Sequence, residues 1–108
     1  MIAFLGDPVV ITVPDTVFVG QSFSVLVRTY GDGCVSQGGT EVQAVSLSID
    51  ITPYDVHSGA RICTDILNMF DHTATLTVTH TGTAQIRFHG RQLPEDLPIS
   101  ELRQVVVK

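Results

Sequence analysis

The residues able to do chemistry are few. The chain has 108 residues with two cysteines, Cys34 and Cys63, and four histidines, His57, His72, His80 and His89. Neither cysteine belongs to a CxxC pair, so a metal knuckle or a redox dithiol motif is not written here. Three readings stand for the cysteines: a disulfide, which the turn residues beside each favour; a metal site or nucleophile; or two unlinked buried thiols. Gly31-Asp32-Gly33 precedes Cys34 and Ser58-Gly59 lies just before Cys63. Closing a loop of about 30 residues would stabilise the fold by about 3–4 kcal/mol in the chain-entropy picture.

The histidines lack ligand spacing. Zinc takes four ligands, or three in a catalytic site, and neither HxH nor HxxxH occurs. Asp55-x-His57 offers two donors, with Asp50 and Asp71 as further candidates, but the default for each histidine is a solvent-facing loop or strand position. A calcium site drawn from Asp32, Asp50 or Asp55 lacks the alternating acids of a calcium loop. Glu95 and Asp96 are adjacent, point apart in extended chain and make a poor acid/base pair. There is no G-x-S-x-G elbow, and no helix follows Gly31-Asp32-Gly33 to make a phosphate cradle. No cofactor and no resident metal is implied, and the expectation is a protein that is not an enzyme.

Positioning falls to strands. Ala74, Leu76 and Val78 alternate with Thr75, Thr77 and Thr79. Ala84, Ile86 and Phe88 alternate with Gln85, Arg87 and His89. A period of two places one face inward and one in water. Paired as a hairpin around His80-Thr81-Gly82, these runs would gather Thr75, Thr77, Arg87 and His89 on one polar sheet face, a candidate binding surface. The same alternation also fits a chain that arches from one sheet to the other.

Elsewhere, Val9, Ile11 and Val13 suggest a first strand between Asp7-Pro8 and Pro14-Asp15, and Phe23, Val25 and Val27 a second, running to about Tyr30. Gln37-Gly38-Gly39 reads as a turn, and a long strand is expected from about Glu41 to Tyr54, closed by Pro53. Residues 54–60 read as a loop, 64–70 as a short helix or helical turn, 91–100 as a proline-bounded loop, and 101–108 as the last strand. The whole, 1–108, is expected to be one all-β domain: a Greek-key β-sandwich of about seven strands with at most one short helix.

Composition narrows the setting. Hydrophobic residues make up 44% and charged residues 16%, with a formal net charge of −5. An acidic surface repels phosphate backbones, so nucleic acid is an unsuitable partner. No apolar run reaches the roughly 20 residues that a membrane-spanning helix needs. The start, Met1 to Gly6, is too short and uncharged for a signal peptide, so a leader or lipid anchor would have to lie outside this sequence.

The stretch Pro14-Asp15-Thr16-Val17-Phe18-Val19-Gly20-Gln21-Ser22-Phe23 is similar to the opening of bacterial immunoglobulin-like and fibronectin-III-like modules. Gly82 to Gly90 resembles their late core strand, and Val105-Val106-Val107 their closing strand. The chain has no tryptophan, and its cysteines fall near loops rather than mid-strand, so the antibody-type disulfide does not carry over. The resemblance implies a secreted, periplasmic or cell-surface module of a larger exported protein or lipoprotein, used in adhesion, assembly or protein–protein contact. It is expected to be a monomer or a weak homo-oligomer through edge strands. The competing expectation is a carbohydrate or small-ligand binder using the Thr/Arg/His face or the 54–60 loop.

Overall fold

The computed structural model describes residues 2–6, 9–92 and 96–108. Asp7-Pro8 and Glu95, which entered the reading of the first strand and of the acidic loop, lie outside these residues. Eight strands and no helix occur among the described residues: β1 Ile11–Thr12, β2 Thr16–Val17, β3 Ser22–Gly31, β4 Val35–Val45, β5 Ser48–His57, β6 Asn68–Thr77, β7 Gly82–Gln92 and β8 Leu97–Val107.

The strands form two sheets, ordered β1-β3-β6 and β2-β8-β7-β5-β4. Alternation explains what lies between them. Val25 and Val27 of β3 and Ala74 and Leu76 of β6 turn inward from the smaller sheet. Ile49 and Ile51 of β5, Ala84, Ile86 and Phe88 of β7, and Val105 and Val107 of β8 turn inward from the larger one. All are buried, and each large side chain so placed contributes about 1.5–3 kcal/mol of transfer free energy. Val106, between two inward valines, faces out.

Five expectations are corrected. The long strand 41–54 is two antiparallel strands, β4 and β5, joined at Ser46-Leu47 and paired from Val45↔Ser48 onward. Ser46 carries the turn at φ 55°, without the glycine or asparagine that usually announces such a site. Gln37-Gly38-Gly39 is not a turn but a break in register inside β4: Gln37 faces Asp55 and Thr40 faces Pro53, so Gly38 and Gly39 share the place opposite Tyr54. A Cβ at Gly38 would stand 2.6 Å from the Tyr54 carbonyl oxygen. Pro53, read as a strand end, sits within β5 at this irregularity, where a missing donor is tolerated. Residues 54–57 continue β5, and 68–70 open β6 rather than a helix.

The larger sheet has two parallel pairings, β2 with β8 and β5 with β7. The β5–β7 register covers only Ser48 to Ile51 against Gln85 to Phe88. Beyond it, residues 2–5 fill the gap. The Ala3 amide donates to Pro53 O (3.1 Å), the Arg91 amide to Ala3 O (3.1 Å), the Leu5 amide to Arg91 O (2.8 Å) and the Tyr30 amide to Phe4 O (2.9 Å). Ala3 and Leu5 are buried. Gly90 makes the room, since a Cβ there would lie 2.5 Å from Leu5 Cγ.

Candidate functional site

Three polar constellations emerge, and none is the face expected from alternation. β6 belongs to the smaller sheet and β7 to the larger one, so the chain arches between them at residues 78–82. Thr75 and Thr77 therefore point outward from one sheet, and Arg87 and His89 from the other. The four do not form one surface. Thr77 instead shares a hydrogen bond with Ser22 across the β3–β6 pair (3.0 Å).

The first constellation is interior. His72 Nε2 lies 2.9 Å from Asp55 Oδ1 and 3.1 Å from Thr29 Oγ1. The Thr29 hydroxyl donates to Asp55 Oδ2 (2.8 Å). Thr40 Oγ1 stands 3.0 Å from His72 Nδ1. An ionised carboxylate only accepts, so Nε2 carries the proton that bridges to Asp55. Thr29, Asp55 and His72 are all sealed from solvent. Among the described residues no buried side-chain nitrogen or oxygen lacks a partner. A His–Asp–Thr set of this kind has the composition of catalytic machinery, but a substrate cannot reach it. Its physical role is to join β3, β4, β5 and β6, and it does so together with the Gln37 side-chain amide, which donates to Asp71 O (2.9 Å). The edges of the two sheets, β4 and β6, are thereby held together.

The alternation reading puts His72 at a solvent-facing position and Asp55 on the 54–60 loop. Both expectations fail for one reason. His72 is two residues before Ala74, Asp55 lies in the frame of Ile49, Ile51 and Pro53, and Thr29 follows Val25 and Val27. Polar residues at inward positions on three strands are the signal that identifies a buried network, and it was present in the sequence.

The second constellation is an open cleft of about 460 Å³ on the outer face of the larger sheet, lined by Glu41, Asp50, Thr52, Tyr54, His89 and Ile99 among others. His89 Nε2 lies 2.8 Å from Asp50 Oδ1, because β5 and β7 run parallel with Asp50 beside Arg87, one pleat from His89. The Tyr54 hydroxyl donates to Glu41 Oε2 (2.9 Å). That hydrogen bond, then burial and the Glu41 charge, raise the Tyr54 pKa above its ordinary value. This cleft offers two acidic residues, one imidazole and one aromatic ring to a ligand. Of the four residues expected to bind, only His89 lines it.

The third constellation sits at one end of the molecule. Cys34, just before β4, and Cys63, in the loop 58–67, form a disulfide, as the turn-adjacent positions led one to expect. His57, at the end of β5, accepts a hydrogen bond at Nδ1 from the Gly59 amide (2.9 Å) and holds Nε2 3.8 Å from Cys63 Sγ. Asp32 Oδ1 accepts from the Cys34 amide (2.9 Å). At the far end of this loop, Ile66 and Leu67 line an apolar hollow with Phe4 and Tyr30, and Leu67 and Met69 line a second beside it.

Among the described residues no helix is long and apolar enough to cross a membrane. Compared with protein-family models, with curated proteins and with solved structures, the chain gives no match.

Proposed function

We propose that this chain is a non-catalytic, immunoglobulin-like module of an exported protein, working by contact with a partner protein at its disulfide-pinned end. The observation that carries this reading is the exposure of that end: Ile62 is 91% exposed, Leu67 71% and Met69 60%. Singly exposed hydrophobics are ordinary, but a group on one short pinned segment is a surface awaiting cover. Order β1-β3-β6 and β5-β7-β8 parallels the A-B-E and C-F-G sheets of immunoglobulin domains, and the parallel β5–β7 pairing departs from them. The disulfide supports an oxidising compartment.

The partner's chemistry follows from charge. With a net charge of −5 over the chain, the fitting occupant is an apolar protein surface rimmed by Lys or Arg. The test uses a protein captured from the native source, then purified and titrated directly. Wild type is expected to bind it with an affinity that falls as salt rises, and Leu67→Ser/Met69→Ser to bind more than tenfold more weakly. Equal binding by the variant would overturn the reading.

The open cleft favours a second reading, recognition of a carbohydrate or small polar ligand by Asp50, Tyr54 and His89. A glycan panel should then raise the melting temperature by mass action, and His89→Ala should abolish the shift. A flat panel removes this reading and leaves the first untouched.

A further inference from the structure

Asp32, Cys34, His57 and Cys63 come from three separate stretches of chain, yet one ligand atom from each lies within 4.8 Å of all the others. From this convergence we infer that the reduced form of the molecule binds a zinc ion through Cys34, Cys63, His57 and Asp32, so that one corner has two alternative closures, covalent when oxidised and metallic when reduced. The inference does not depend on the docking reading.

Two thiolates, one imidazole and one carboxylate are a donor set that suits zinc. In tetrahedral zinc with Zn–S bonds of about 2.3 Å, sulfurs stand about 3.8 Å apart, so the required rearrangement is mainly the parting of the two sulfurs. The backbone keeps the rest in place. Ser58 donates its amide to Cys34 O (2.8 Å) and Gly33 to Thr64 O (3.0 Å). These bonds flank the disulfide and tie the 58–67 loop to the β3–β4 turn without any sulfur link. Asp32 is oriented by the Cys34 amide at Oδ1, which leaves Oδ2 to meet an ion. Asp32, Cys34 and Cys63 are half-buried and His57 is exposed, so both reductant and ion have access.

The chemistry balances with a dithiol as reductant. The Cys34–Cys63 S–S bond breaks and takes two electrons. The dithiol's two protons end on Cys34 and Cys63 as the dithiol closes into its own disulfide. Zinc then displaces both protons to buffer. One existing contact must yield. Coordination through His57 Nε2 moves the ring proton to Nδ1, where the Gly59 amide now donates, and coordination through Nδ1 displaces that amide directly. The Gly59–His57 hydrogen bond is thus the local cost of binding.

The test reduces the full chain with a dithiol under anaerobic conditions, removes the dithiol, and titrates with Zn²⁺ and with Co²⁺ as a spectroscopic stand-in. The expected result is uptake of a single ion by the reduced chain, thiolate-to-cobalt charge-transfer absorption, a displaced Gly59 amide resonance, and no uptake by the oxidised chain. His57→Ala keeps the disulfide in the oxidised form, so its fold is verified there first. After reduction it should bind more than about a hundredfold more weakly. Three results overturn the inference: a folded reduced chain that binds no better than the oxidised one, a His57→Ala chain that binds like wild type, or a reduced chain that unfolds and is not refolded by Zn²⁺.

Discussion

His72–Asp55 and His89–Asp50 join the same atoms, Nε2 to Oδ1, at nearly the same distance, 2.9 and 2.8 Å. Their surroundings differ completely. The first pair is 0% and 1% exposed at its side chains, the second 36% and 39%. In the interior no water can replace a lost partner, so each group there depends on the others. On the outer sheet face water substitutes readily, and the pair is free to exchange its mutual contact for a ligand. Residue type and distance are therefore poor guides to role; solvent access separates a sealed brace from a pair that water can reach.

The largest effect should come from His72→Ala, which removes the contact to Asp55 Oδ1 and opens a void. Removing one partner of a buried hydrogen bond costs about 1–3 kcal/mol, more for charged groups, and the void adds to it, read as a lowered urea midpoint. A change below about 1 kcal/mol would place the two pairs in the same class and end the contrast. Leu5→Ala should follow, at about 2–4 kcal/mol for a large-to-small change in a packed interior. This is because residues 2–5 seal the gap between β5 and β7.

His89→Ala, by contrast, should shift stability by less than about 1 kcal/mol, the ordinary worth of an exposed ion pair. Smaller still are two pH effects on exposed pairs. The Arg28 guanidinium, through its hydrogen bond and then its charge, holds the Asp71 carboxyl below the usual carboxylate value. Its folded pKa lies under the unfolded one, so the stabilisation is present above the unfolded value and fades as pH falls through the folded one. Asp71→Asn should remove that increment from the acid limb of an unfolding-versus-pH curve. Tyr54 has the opposite sign. Its pKa is raised, chiefly by the hydrogen bond to Glu41, so its contribution is complete below the unfolded value and is lost as pH rises through the folded one. Tyr54→Phe should flatten the alkaline limb.

The faces of β6 and β7 were legible because Ala74, Leu76, Ile86 and Phe88 repeat with period two, and all four are buried. Which strands pair was not legible. A hairpin and an arch bury the same side chains, so Thr75 and Arg87 read equally well as neighbours or as residues on opposite sheets. The β4–β5 turn was hidden for a related reason. Val45, Leu47, Ile49 and Ile51 keep their alternation through it, though Val45 ends exposed. Charge and composition carry no trace of the corner formed by Asp32, Cys34, His57 and Cys63, because chain topology brings distant segments together. The buried network was legible in part: His72, Asp55 and Thr29 occupy inward frames, but reading polar residues as outward by default obscured them.

Solvent access at the two imidazoles is measured most directly by NMR of the histidine ring N–H protons in water at neutral pH. A persistent, slowly exchanging His72 Nε2–H resonance beside a His89 ring proton lost to exchange is the expected outcome. Equally fast exchange at both rings would mean that water reaches His72, and the distinction between an interior brace and a solvent-exposed pair would fall.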